Sequence, residues 1–391
     1  MSELYPANEY KPSQRELLET LLQPQPTVVA IEGGPCGGKS TLLAEIERQA
    51  EAIDRPVVII PEVATPKISE WEERTGKKIP ELAANDRPEY LRFQQAILEG
   101  IVTEIEDKKA AYKGTDAIII IDRCDIGAYV TLNEHSALLQ AIGKKVPPLH
   151  EYVDRIYYLP SVAREDPDKY NRLKHTNTRR YEKAEVAIAT CEANIWAVAA
   201  HPELHVAWGG NFAEKMRRVT QGVLQPELEG EIKQSMPHPD AVDLIRESEI
   251  LCMHGITQSY HAVDGCEFRL RKQTSLAAHH YFLTLKQGTG AIRTEIQRRI
   301  TAEEYNLLRE APQVGNELYK TRYTFLDAVA DSTRRRRLWT ADTYEKPNIP
   351  RWHLETDVET EAEAEELDVL YAGVRERITT GARELIFIEQ K

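Results

Sequence analysis

The sequence predicts two halves of different class: an α/β half with a parallel sheet over residues 1–222, then an α+β half built on an antiparallel closed β-barrel over residues 226–391. Three observations predict this. From Thr27 to about Gly222, short apolar runs alternate with longer helical segments, the pattern of strands covered by helices on both faces. After about Gln225, strand-length stretches alternate charged and apolar residues at a period of two. The 391 residues exceed a typical single domain, and Gly222 and Pro226 punctuate the chain where the texture changes.

In the first half, "TVVAIEG", "PVVIIPE", "AIIIID" and "RIYYLP" are strand-length runs rich in Val and Ile. Between them, "GKSTLLAEIERQAEA", "PEYLRFQQAILEGIVTEIEDKKAAY" and "NTRRYEKAEVAIATCEANIWAVAA" have helix-forming composition. In the second half, strands are expected at "ELEGEIKQS", "CMHGITQSYH", "CEFRLRKQ", "YFLTLKQG", "AIRTEIQRRI", "ELYKTRYTF", "RLWTADTY" and "RWHLETDVE". "VDG" and "QGTG" are hairpin turn signals. Short helices are expected at "DAVDLIRESEI" and "TAEEYNLLRE", with Asp240 and Thr301 as N-caps. "ETEAEAEELD" reads as a solvated helix start, and the pair His279–His280 as loop.

Composition narrows the function class. Fifty basic against 63 acidic residues give a net charge of −13, which argues against a general nucleic-acid or membrane-surface binder. Phosphate binding must then come from local clusters of Lys and Arg. Five cysteines without a C-x-x-C pair suit reduced thiols in a cytoplasmic protein. The polar start lacks the apolar core of a signal peptide, and no apolar run is long enough to span a bilayer, so no transmembrane segment is expected.

The stretch Gly33, Gly34, Pro35, Cys36, Gly37, Gly38, Lys39, Ser40 fits G-x-x-x-x-G-K-[ST] between an apolar strand and a helix that continues through Thr41. Glycines let backbone N–H groups face a phosphate, Lys39 adds a mobile positive charge, and Ser40 can hold Mg²⁺. Asp122 ends "AIIIID", where a carboxylate reaches Mg²⁺ through water. Glu62 follows "PVVII", where it fits either an ordinary strand-end acid or a catalytic base. Arg164, Arg172, Arg179 and Arg180 lie in a segment suited to close over a nucleotide and stabilise a transferring phosphoryl group.

In "ELEGEIKQS", Glu227, Glu229, Glu231 and Lys233 share one face of a strand. Other strands repeat the arrangement: Arg269 and Arg271; Lys286; Arg293, Glu295 and Gln297; Lys320 and Arg322; Glu355, Asp357 and Glu359. One such strand is a solvated face. Several, segregated into acidic and basic members, suggest a barrel lining in which basic rows grip phosphates and acidic rows hold a divalent metal. "RRRR", Arg334–Arg337, reads as a barrel edge, with Arg337 placed to reach the tunnel.

On these residues the first half resembles the AAA-like P-loop kinases related to nucleoside and nucleotide kinases. The likeness lies in Gly33–Ser40, Glu62, "DRCD" at Asp122–Asp125 and Arg179–Arg180. The second half, through Glu229-x-Glu231-x-Lys233 and the ordered basic strands, resembles the CYTH superfamily of triphosphate tunnel metalloenzymes. The combination resembles two arrangements: a uridine-kinase-like domain joined to a CYTH domain that hydrolyses pyrophosphate or triphosphate, and, with a more similar first domain, the TRPL translocation defect protein type, which is linked to GTP and phosphoinositide binding.

The resemblance implies that Glu229 and Glu231 bind Mg²⁺ or Mn²⁺, helped by Glu295, Glu355 and Asp357. It also implies that Lys233, Arg269, Arg271, Lys286, Arg293, Lys320 and Arg322 bind phosphate oxygens. Glu229, Glu231 and Lys233, with Glu62 in the first half, are the expected catalytic set. Gln297 replaces a glutamate common in the family, and Asp357 shortens a usual Glu. The expected activity is metal-dependent hydrolysis of a triphosphate, polyphosphate or organic phosphate in the tunnel, with ATP or GTP bound at the P-loop for kinase, NTPase or regulatory use. The alternative is a nucleotide-regulated binding module for a phosphorylated, phosphoinositide-like ligand without turnover. A cyclase is a third option, but nothing in the sequence indicates recognition of a base within the tunnel.

Overall fold

The structure, a computed structural model, describes residues 13–173, 183–207, 211–225, 228–275, 278–287, 292–330, 336–358, 361–370, 375–378 and 385. The first sheet holds β1 (Thr27–Gly33), β2 (Val57–Ile60), β3 (Ile118–Asp122), β4 (Arg155–Leu159) and β5 (Leu204–Val206). They run parallel in the order β2-β3-β1-β4-β5. Strand β1 is central and its apolar side chains are buried on both faces, which is why its sequence shows no alternation. Helices Lys39–Ala50 and Phe212–Leu224 cover one face. Helices Arg87–Ala111 and Ala184–Val198 cover the other. The edge strand β5, three residues in "ELHVAW", has too short an apolar run for the sequence pattern to reveal.

The second sheet holds β6 (Leu228–Pro237), β7 (Glu249–Val263), β8 (Cys266–Thr274), β9 (His279–Gln287), β10 (Ile292–Ile300), β11 (Leu318–Ala330), β12 (Arg336–Lys346), β13 (Arg351–Asp357) and β14 (Glu376–Arg377). Every ladder is antiparallel, in the order β10-β9-β8-β7-β11-β12-β13-β6-β14. Strand β10 also pairs with β6, through Ile292↔Gly230, Arg293↔Glu229 and Thr294↔Leu228. The ladder that leaves β6 through β13 therefore returns to β6 through β10. Asp264 and Gly265, both at positive φ, make the tight β7–β8 turn that "VDG" predicts.

Helices cover apolar side chains on one face of this sheet in two groups. Ile232, Met236, Phe325, Trp339, Trp352 and Leu354 pack with helices His238–Glu247 and Glu361–Leu370. Phe268, Leu270, Leu283 and Ile300 pack with helices Gln14–Leu21 and Ala302–Arg309. The helix Gln14–Leu21 precedes the parallel sheet in sequence but packs on the antiparallel one, and Arg15 pairs with Asp264 at 3.1 Å. The two sheets share a hydrophobic cluster, in which Leu251 and Leu326 join residues such as Leu149, Tyr152 and Val198.

Local expectations were met unevenly. Thr301 caps its helix in a reciprocal box with Glu304. The helix expected from Asp240 begins at His238, because Pro239 fits the first turn, and it ends at Glu247 where β7 takes over. His279–His280 is not loop: both residues open β9, and His280 is buried against His150. The acidic run after Glu359 continues as a helix whose Ala364 and Leu367 are buried on the sheet. Arg337 does not join the basic face, since odd-numbered positions of β12 point to the helices. It pairs with Glu363 at 2.6 Å.

Candidate functional site

The first site sits at the C-terminal ends of β1 and β3, the usual ligand edge of a parallel sheet. Gly33 closes β1 at φ +145°, and a Cβ there would lie 2.0 Å from the Leu159 carbonyl oxygen. Gly38 stands at φ +98° and leads into the helix Lys39–Ala50, whose first turn exposes Ser40 and Thr41. The loop between is braced: Gly34 N donates to Leu159 O at 3.2 Å, Gly37 N to Gly34 O at 3.2 Å, and Ser161 Oγ to Pro35 O at 2.6 Å. Cys36 adopts a positive φ within it.

Lys39 Nζ donates to Gly33 O at 2.9 Å. Burial pulls its pKa down to about 8, Arg123 adds repulsion, and Asp122, Glu32 and Glu62 partly oppose the shift. Asp122 pairs in register with Ile31 of β1. Burial raises its pKa, with Glu62 adding to the effect, and Asp122 Oδ1 is buried without a hydrogen-bond partner. Glu62 accepts from Thr65 Oγ1 at 2.7 Å and pairs with Arg123 at 2.8 Å. The loop, Asp122 and Glu62 thus share one electrostatic neighbourhood. Arg164 reaches away from it to Glu249 of β7 at 2.6 Å, and Arg172 lies in the helix Pro167–Leu173. Arg179 and Arg180 lie outside the described residues, as does Glu227.

The second site is the charged face of the antiparallel sheet, opposite the face that helices such as His238–Glu247 and Ala302–Arg309 cover. Residues directly opposite each other across a ladder share a face. The registers Lys233↔Glu355, Arg322↔Asp342, Arg322↔His254, Arg271↔Gln258 and Arg269↔Thr284 therefore place these side chains on one continuous surface. Two networks occupy it.

In one, Lys233 Nζ lies 2.5 Å from Glu355 Oε1, and Arg322 reaches the other Glu355 oxygen at 2.6 Å. Arg322 also holds Asp342, which pairs with Lys320 at 2.5 Å. Burial alone would raise Glu355, yet Lys233, Arg322 and Lys320 hold it well below the usual carboxylate range. Burial pulls Lys320 down to about 8 despite Asp342.

In the other network, Arg269 Nη2 donates to Thr284 Oγ1 at 3.1 Å, and Arg271 Nη2 donates to Gln297 Oε1 at 3.0 Å. The Arg271 guanidinium lies over the Phe282 ring, 4.6 Å from its centroid.

Lys233, Lys320, Arg322 and Glu355 thus come together, and Arg269 and Arg271 lie on the same face. Asp357 pairs with His205 of the first half at 2.8 Å. The backbones of Glu229, Glu231, Lys286, Arg293 and Glu295 hold their places through Arg293↔Glu229, Glu231↔Asp357 and Glu295↔Lys286. Their side chains lie outside the described ones. Among the described residues no group of three or more His, Cys, Asp or Glu side chains is placed to hold a metal ion.

Sequence reasoning missed Asp342. Its signal was a lone acid in "RLWTADTY", in step with Thr340 and Tyr344. Glu203 and His205 flank or occupy the short β5 and had no strand pattern to place them.

Residues 28–214 match the AAA domain family, so this stretch is an AAA-like P-loop nucleotide-binding domain. Three solved structures are similar to part of the chain. The PH1819 protein from Pyrococcus horikoshii OT3 has 18% identity and a TM-score of 0.33, covering 40% of this chain and 97% of that one. The inorganic triphosphatase NE1496 has 20% identity and a TM-score of 0.28, covering 42% and 100%. A conserved hypothetical protein from Pyrococcus furiosus has 13% identity and a TM-score of 0.31, covering 40% and 99%. No curated protein matches the chain in sequence. No helix among the described residues is long and apolar enough to cross a membrane.

Proposed function

We propose that the chain handles phosphate at two places: ATP or GTP on the P-loop, and a triphosphate, polyphosphate or organic phosphate in a tunnel that hydrolyses it with a divalent metal. In this reading residues 1–222 and 226–391 are the two functional units, and the β10–β6 pairing closes eight strands into a barrel lined by their charged faces. The observation that carries the proposal is the chain of ion pairs Lys233–Glu355–Arg322–Asp342–Lys320 on that lining. Largely buried cations paired with carboxylates form a site that an incoming phosphate chain can take over, exchanging one set of charge-assisted hydrogen bonds for another.

At the P-loop, Lys39 leaves the Gly33 carbonyl to meet the terminal phosphates, while loop N–H groups and the helix start hold the rest. The buried, unpartnered Asp122 Oδ1 and the exposed Ser40 fit a Mg²⁺ site at the nucleotide. Arg179 and Arg180 complete the nucleotide side. Glu62, already oriented by Arg123 and Thr65, is the base if this site transfers phosphoryl groups.

In the tunnel, Lys233, Arg269, Arg271, Lys286, Arg293, Lys320 and Arg322 take the phosphate oxygens. Glu229 and Glu231 hold Mg²⁺ or Mn²⁺, with Glu295, Glu355 and Asp357 as helpers. When bound, that ion supplies charge neutralisation and an acidified water. The cationic side chains orient the phosphate chain and stabilise negative charge as the P–O–P bond breaks.

A binding module without turnover is the second reading. It is favoured by the engagement of Glu355 with Lys233 and Arg322, and of Asp357 with His205, which leaves a metal chiefly to Glu229 and Glu231. The test is phosphate release from tripolyphosphate, pyrophosphate, ATP and GTP with Mg²⁺ or Mn²⁺, by wild type, Lys39→Ala and Arg322→Ala. Release from tripolyphosphate that survives Lys39→Ala and is lost in Arg322→Ala supports tunnel hydrolysis. Arg322-dependent binding of tripolyphosphate without any release supports the module.

A further inference from the structure

The nucleotide-binding half sends an acid into the barrel. Glu203 lies between the helix Ala184–Val198 and β5, in a tightly held backbone. Its carbonyl accepts from Ile156 N at 2.9 Å, and its N–H donates to His201 Nδ1 at 3.2 Å. From this fixed point the carboxylate reaches the second half and pairs with Arg271 at 3.0 Å. The pair is largely buried, with 9% of the Arg271 side chain and 19% of the Glu203 side chain exposed. Arg271 is one of the tunnel cations, in register with Gln258 and hydrogen-bonded to Gln297. Two residues on, His205 makes the matching contact to Asp357 at 2.8 Å. One short segment of the first half therefore engages two of the residues assigned to the tunnel.

We propose that Glu203 is an acidic plug: its carboxylate occupies the place on Arg271 that a ligand phosphate takes, so binding of a linear polyphosphate displaces it. The inference rests on reading the barrel as a polyanion site. A carboxylate and a phosphate oxygen offer a guanidinium the same acceptor geometry, so they compete for it. Displacement also separates two charges that span the halves, which ties occupancy of the barrel to the contact between them.

Calorimetric titration of the full chain with tripolyphosphate tests this, using wild type, Glu203→Gln, Glu203→Asp, Arg271→Ala, Arg322→Ala and the double variant Glu203→Gln/Arg271→Ala. Glu203→Gln is expected to bind about tenfold tighter than wild type, as removal of a competing charge partner allows. Glu203→Asp, whose shorter side chain reaches less well, should fall between them and serves should the Gln variant not fold. The gain should vanish in the Arg271→Ala background. If binding depends on Arg322 but neither Glu203 variant binds tighter, or if the gain persists without Arg271, the plug is overturned and the barrel site stands. If Arg322→Ala binds as well as wild type, or if no variant binds, the barrel reading falls and the plug with it.

Discussion

Arg322 on β11 clamps Asp342 on β12 with two parallel hydrogen bonds, from Nε and Nη2, each 2.7 Å long. Asp342 is fully buried, so its charge depends on Arg322 and on Lys320. The fork joins directly opposed residues of the two strands on the sheet's charged face and sets Arg322 and Lys320 side by side there.

Breaking the fork has a stability consequence. Arg322→Ala leaves Asp342 with Lys320 and deprives Glu355 of one partner, so the variant should lose about 3 kcal/mol of unfolding free energy, as for a broken buried pair. Replacing both Arg322 and Asp342 by apolar residues of similar volume should cost less, because no buried charge is stranded. Urea denaturation of the two variants measures the difference.

The P-loop lysine makes nucleotide affinity depend on pH. Burial sets Lys39 at about 8 in the free protein, and a bound phosphate favours its charged form. Affinity for ATP or GTP should be flat from pH 6.5 to 7.5 and fall above about pH 8, as binding begins to require proton uptake. Lys39→Ala should bind nucleotide weakly at every pH, remove the fall, and leave the melting temperature near that of wild type. Calorimetry across pH checks all three.

The contact between the halves should weaken in acid. The His150 ring lies tilted against that of His280 with centroids 5.1 Å apart, and His254 bonds to the Ala200 carbonyl at 3.1 Å. Burial, with Arg299 adding to it, pushes His150 down to about 4 and His280 to about 3, and burial pushes His254 to about 4. Because the folded values lie below the ordinary 6.5, the stabilisation is complete above pH 6.5 and is lost as pH falls from 6.5 toward 4. One such histidine alone amounts to roughly 2 kcal/mol by pH 5. Denaturation at pH 7.5 and 5.0 measures it, and His150→Gln should flatten the difference.

Much of this was legible in the sequence for physical reasons. The eight long strands of the antiparallel sheet declared themselves because polar and apolar residues alternate along most of them, so Arg269-x-Arg271 and Lys320-x-Arg322 were visible as pairs at a period of two. Strands β1 and β3 were visible because burial on both faces leaves an uninterrupted apolar run. Contacts across the halves were not legible. Glu203 acquires its role only when β5 is laid beside β4 and brought against β8, and Arg164 only when it meets Glu249. His280 looked like loop because an imidazole pair carries no periodic signal, whereas its burial comes from His150. Asp342 was hidden for a similar reason: its cations lie on a neighbouring strand.

The central claim is metal-dependent hydrolysis within the barrel. It rests on Glu229 and Glu231, which the strand β6 carries two residues apart and opposite Arg293 and Asp357. The most direct measurement is phosphate release from tripolyphosphate, with and without Mn²⁺ or Mg²⁺, by wild type and the double variant Glu229→Gln/Glu231→Gln. The account predicts release by wild type only when metal is added, none by the double variant, and unchanged nucleotide binding at Lys39 in both. Full release by the double variant, or by wild type in excess chelator, would contradict it.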